Sequence, residues 1–232
     1  MYLQSLGIHG IANIKKYVAN GGGYLGICAG ATLACKYLDW EVGRVGYEVC
    51  GSRISLIDCH AIGSVTRKLF EYSSESGAEM IRIDTANYSF YGYVNGGCKF
   101  VTNSSKNCVL ASYEYGGAAV ISTNFGSGKV VITGVHLEVS EEYLRSMQNQ
   151  IEGYSGMADD MIQTEDNRLH FLRELICEFG IRKESDLVAS DDIFDEKDAS
   201  VFEAKEFIIF PKKSVDVGNA AKRKRNCWDI FG

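Results

Sequence analysis

Residues Gly26-Ile27-Cys28-Ala29-Gly30 set a thiol between two glycines in the spacing G-x-C-x-G. This is the thiol counterpart of the G-x-S-x-G nucleophile elbow, a sharp turn from a strand into a helix. Residues two positions either side of such a turn approach closely, and glycine removes the side chains that would collide. A helix beginning at Ala29 would turn its first amides toward the sulfur, favouring thiolate over thiol. The amide of Ala29 would then be placed to donate to an oxyanion. A small core cysteine flanked by glycines for close packing fits the same five residues equally well.

A thiol nucleophile needs a base, and the base needs an acceptor on its second ring nitrogen. Gly134-Val135-His136-Leu137-Glu138 offers both. In an extended backbone the H-x-E spacing turns His136 and Glu138 to the same side. A buried histidine at a strand end is the alternative for His136. Of the other histidines, His9 precedes the first expected helix, His60 lies in an irregular stretch, and His170 sits in a charged helical pattern.

The elements around these residues follow an α/β rhythm. Ile11, Ile14, Tyr17 and Val18 fall on one face of a helix over residues 10–19, which Asn20-Gly21-Gly22 ends. Tyr24-Leu25-Gly26-Ile27 is an apolar run suited to a buried parallel strand, and helix formers continue over residues 29–38. Residues 41–58 hold two β-like stretches around Gly51, while residues 79–84, 99–101 and 109–113 read as strands. A hairpin joins 118–123 to 129–133, and Leu169, Leu172, Leu175, Ile176 and Phe179 mark a helix that stops at Gly180. Beyond it, residues 182–200 are acidic and polar, residues 202–210 suit one more strand or a small helix, and Lys222–Arg225 is basic.

Composition narrows the function classes. With 232 residues, 46% hydrophobic and 23% charged, the chain reads as one sizeable globular domain plus a tail. A net charge of −6 argues against whole-domain binding to nucleic acid or anionic membrane. No apolar run approaches the roughly 20 residues of a membrane-spanning helix. The eight cysteines contain no C-x-x-C pair, and Cys50, Cys59 and His60 make only a weak metal pattern, so reduced thiols are expected and no metal or cofactor is assigned. These features point to a cytoplasmic protein, with Lys222–Arg225 as a nuclear import alternative.

At this point several blocks carry a resemblance. IKKYVANGGGYLGICAGA, YGYVNGGCKF, VLASYEYGGAAVI, GSGKVVITGVHLE and NRLHFLRELICEFGI occur in the order of the amidotransferase-like N-terminal domain of eukaryotic biotin–protein ligases, across roughly residues 10–181. That domain resembles class I glutamine amidotransferases. The resemblance implies a flavodoxin-like three-layer α/β fold over residues 1–181, followed by an acidic linker and partly disordered basic tail over 182–232. It implies a triad-like set of Cys28, His136 and Glu138, with Gly26, Ala29 and Gly30 as elbow and oxyanion backbone. Tyr93, Asn95, Gly96 and Gly97 become candidates for the substrate pocket.

The same resemblance implies an accessory or regulatory role in protein biotinylation, since the family's joining chemistry belongs to a separate ligase domain that this chain lacks. The implied partners are such a ligase domain or a biotin-accepting carboxylase acting in trans, with no nucleic acid and no membrane. Two alternatives stay open: a stand-alone cysteine amidase or hydrolase acting on a small carboxamide or acyl substrate, and an inactive binding module. The sequence departs from the pattern in two places. Thr32 stands near where many true amidotransferases carry glutamine, and only nine residues precede the helix expected from Gly10. The fold is therefore expected to lack its first strands, leaving one side of the Tyr24–Ile27 strand without a partner.

Overall fold

The apolar run ahead of Cys28 forms the strand expected of it. In the computed structural model, which describes residues 2–147, 156–181 and 207–209, strand β1 (Gly23–Ile27) is buried at every position. It lies parallel to β10 (Gly128–Thr133), with Tyr24 opposite Val130 and Ile27 opposite Thr133. β10 turns back antiparallel on β9 (Ala118–Phe125), and Phe125 pairs with Gly128 across a two-residue loop. From β9 the sheet runs through β7 (Lys99–Val101), β4 (His60–Gly63) and β2 (Tyr37–Trp40) to β3 (Val49–Ser52). A branch of β8 (Cys108–Tyr113), β5 (Ala78–Asp84) and β6 (Ser89–Asn95) extends from β9.

Side-chain alternation sorts the strands onto two cores. Tyr24, Val130, Ile132 and Ile121 face one side, where Ile14 and Val18 of α1 (Tyr2–Ala19) and Leu33 of α2 (Ala29–Ala34) cover them. Leu25, Ile27, Val131 and Val120 face the other, against Phe171 and Leu175 of α5 (Glu165–Cys177). Helices on both faces of a mixed sheet make the three-layer α/β arrangement. A smaller core gathers Tyr93 with Leu144 of α3 (Glu141–Met147) and Met161 of α4 (Met157–Ile162). Among the described residues no helix is long and apolar enough to cross a membrane.

Several local expectations are corrected. The first helix begins at Tyr2, is broken at Gly7 (φ 60°), and includes His9. The helix after Cys28 stops at Ala34, because residues 37–40 are taken up as β2, hydrogen-bonded to β3 on one side and β4 on the other. Sheet pairing overrides helix propensity there. His60 opens β4 instead of lying in an irregular stretch. The two stretches expected around Gly51 are one strand, β3, which contains that glycine.

The most consequential correction concerns β1. Its far side is not empty: β11 (Phe207–Ile209) pairs with it in parallel, Gly23 opposite Phe207 and Leu25 opposite Ile209. Residues 202–210, expected to form one strand or a small helix, supply that partner as β11. Lys222–Arg225, Cys227 and the acidic stretch 182–200 lie outside the described residues.

Candidate functional site

Cys28 sits between β1 and α2 with φ 51° and ψ −107°, a conformation that costs a non-glycine residue about 1–3 kcal/mol. The turn is held on three sides. The Cys28 amide donates to Thr133 O at 2.8 Å, tying the elbow to β10. The Thr32 amide donates to Cys28 O at 3.1 Å, and the Tyr24 hydroxyl donates to Gly30 O at 2.7 Å. A Cβ on Gly26 would stand 2.8 Å from Gly30 O and from the Tyr24 ring, so the crossing of strand and helix admits only glycine at position 26.

His136 arrives from the same, C-terminal end of β10, three residues past Thr133. After Thr133 the chain passes Gly134, where a Cβ would lie 1.9 Å from Cys98 O, so any side chain would push the segment off the sheet. His136 N then donates to Tyr93 O at 2.8 Å, an isolated antiparallel bridge to β6. The residue is 2% exposed, and the Tyr93 ring packs edge-on against the imidazole with centroids 5.9 Å apart. His136 Nδ1 lies 2.6 Å from Glu138 Oε1, which leaves Nε2 for a second partner.

The Cys28 sulfur lies near enough to act on the charge of the His136 ring, while among the described residues Nε2 accepts or donates no hydrogen bond of ordinary geometry. Burial alone would discharge the imidazole. The Cys28 sulfur and the Glu138 carboxylate outweigh it and push the His136 pKa up to about 10. Burial likewise works against the Glu138 carboxylate, but His136 and, more weakly, Arg168 bring its pKa below the ordinary value. The His136 imidazole thus stands between the Cys28 sulfur and the Glu138 carboxylate, and both favour its charged form.

Arg168 of α5, unmarked in the sequence reading, braces this line. Its guanidinium is buried, is held by both oxygens of Glu165 at 2.8 and 2.6 Å, and donates to Leu137 O between His136 and Glu138. A signal was present: Arg168 shares a helical face with Phe171 and Leu175 at spacings of three and seven, an apolar stripe on which a cation is out of place.

Cys28 opens on a cavity of about 270 Å³, with Ala29, Thr32, Trp40, Phe70 and Gly97 among its walls. Of the four residues expected in the pocket, Gly97 lines it. Gly96 sits behind the wall, against the Phe70 and Trp40 rings. Tyr93 is buried beside His136, its hydroxyl donating to Glu75, and Asn95 donates at 2.8 Å to Glu75 and to Ser74 O. Trp40, Arg53, Phe70 and Tyr72 reach the cavity from segments with no motif to announce them. Among the described residues no three His, Cys, Asp or Glu side chains gather to hold a metal; Cys59 contacts Cys35 at 3.2 Å and His60 pairs with Asp39 at 3.0 Å.

The family described as "Biotin-protein ligase, N terminal" matches residues 1–200. An uncharacterized protein of Chlamydia muridarum is 29% identical over 153 residues, 62% of this chain and 59% of that one. The biotin–protein ligase of Schizosaccharomyces pombe is 32% identical over 140 residues, 56% of this chain and 22% of the ligase. The chain thus spans less than two thirds of either relative. Among solved structures, a glutamine amidotransferase aligns over 74% of this chain and 69% of its own, at 16% identity and a TM-score of 0.43. Another, from Thermotoga maritima, aligns over 78% and 67% at 14% identity and a TM-score of 0.40. With residues 1–200 matched in a 232-residue chain, this protein belongs to the biotin–protein ligase N-terminal family.

Proposed function

We propose that this domain is an accessory to protein biotinylation that works through cysteine acyl chemistry at Cys28. The observation that carries the reading is the pairing of a thiol on a strained turn with a histidine whose other nitrogen is held at 2.6 Å by a carboxylate. Cys28 thiolate attacks the carbonyl carbon of a small carboxamide, and the amides opening α2 at Ala29 and Gly30 receive the developing oxyanion. His136 Nε2 passes its proton to the leaving nitrogen, the C–N bond breaks, and ammonia departs. Water then attacks the thioester with His136 as base, the C–S bond breaks, and Cys28 returns as thiolate. Glu138 holds the ring in the tautomer that both proton transfers need.

The accessory role rests on family membership, which associates the domain with a biotin ligase or a biotin-accepting protein. The test is the rate at which a biotin ligase modifies an acceptor carboxylase with this chain added in trans, wild type against Cys28→Ala. The wild-type chain should change that rate and Cys28→Ala should not. Equal effects of both would reduce the domain to a binding module, and no effect of either would remove the link to biotinylation.

A further inference from the structure

Arg53 is the one cation among the described residues that line the cavity beside Cys28, and it has no carboxylate partner there. It follows β3, half-buried, with its amide donating to Lys36 O at 3.0 Å. Among the described residues its guanidinium donates to the neighbouring Ser52 O alone, at 3.2 Å. The acids on nearby segments are engaged elsewhere: Asp39 with His60 at 3.0 Å, Glu41 with Arg44 at 2.9 Å, and Asp58 with Lys36 at 3.2 Å. A partly desolvated guanidinium presents a planar fork of donors suited to a carboxylate. The rest of the wall is largely apolar, with Leu33, Leu38 and Val49 beside the Trp40 and Phe70 rings, and none of the described lining residues is an acid. An ammonium group brought into this cavity would meet a like charge and no acceptor carboxylate.

We propose that the cavity takes a small aliphatic carboxamide bearing one carboxylate and no ammonium group, with Arg53 binding the carboxylate while the amide carbon lies at Cys28. This deepens the acyl-chemistry reading and rests on it. It also separates the site from one built for glutamine, whose α-ammonium would be unmatched. Glutaramate, which is glutamine without its amino group, is the simplest probe; its turnover with water gives glutarate and ammonia, with the C–N bond cleaved and one water consumed.

Titration calorimetry on the full chain with glutaramate, glutamine and the neutral diamide glutaramide tests the assignment. Glutaramate should bind about tenfold or more tighter than either of the others, the range of one charge-assisted pair. Arg53→Gln should remove that advantage, and Arg53→Lys should keep part of it. Glutamine or glutaramide binding as tightly as glutaramate, or no binding by any of the three, would overturn the proposal, and the ligand comparison needs no variant to fold. Ammonia release is read separately from the order of affinities, so the ranking holding while no ammonia is released would sink the nucleophile reading alone and leave the pocket assignment standing.

Discussion

At Cys28 the strained backbone, partial exposure and contact with His136 coincide, whereas Cys35 and Cys98 are buried in the core. Burial pushes the Cys35 and Cys98 thiols up in pKa. Limiting iodoacetamide at neutral pH should therefore alkylate Cys28 first, at about ten times the rate of the exposed Cys177, since the thiolate is the nucleophile. Peptide mapping by mass spectrometry reads the order, and Cys28 reacting no faster than Cys177 would return it to a packing role. His136 and Glu138 also set a pH dependence. His136, raised to about 10 from 6.5, contributes stability that is complete below about 6.5 and is lost as the pH climbs through about 10. Glu138 acts oppositely: its contribution is present above 4.5 and disappears as the pH falls through its lowered value. Denaturant midpoints from acid to pH 11 should show both flanks, and His136→Gln should flatten the alkaline one. The candidate nucleophile, base and orienting carboxylate were legible in the sequence because G-x-C-x-G and H-x-E are local spacings that a strand–helix turn and an extended segment display directly.

The elements matter because none of the three side chains is positioned by its own strand alone. β10 carries the elbow through the bond from Cys28 N to Thr133 O, and β6 holds His136 through Tyr93 O. Gly134→Ala forces a Cβ onto Cys98 O and should cost about 1–3 kcal/mol or more of stability as an overpacked site. Thermal melts would register it, and an unchanged midpoint would mean that the segment simply shifts. α5 contributes Arg168, whose loss in Arg168→Leu would leave Leu137 O unpaired and release the His136–Glu138 segment. A fall of about 1–3 kcal/mol is expected, the cost of stranding one buried acceptor. A lower His136 pKa by NMR titration separates this positioning role from a merely structural one, which would leave that pKa in place. Boundaries were less legible than element types. Residues 29–38 carry helix formers throughout, yet the chain leaves the helix after Ala34 because Tyr37–Trp40 finds two strand partners from residues 49–63.

For the whole molecule, the decisive feature is that β1 is closed on one side by β10 and on the other by a segment from far along the chain. Cutting the chain after Ile181 removes β11 and opens Gly23–Leu25 along one edge. Hydrogen exchange should then quicken at the β1 amides while β9 and β10 keep their protection; unchanged protection in β1 would show that β11 adds nothing to the sheet. By itself, the sequence determined the α/β class, the elbow and the H-x-E pair, since these depend on periodicity and on spacings within a few residues. It also determined that a strand could form within residues 202–210, but not where it would dock, because pairing across some 180 residues leaves no local trace. Only the tertiary structure decided that Arg168 braces the histidine segment and that Arg53, Trp40 and Phe70 meet at Cys28. Those residues come from segments whose local patterns describe only their own strand, loop or helix, and a cavity exists only once separate elements pack around it.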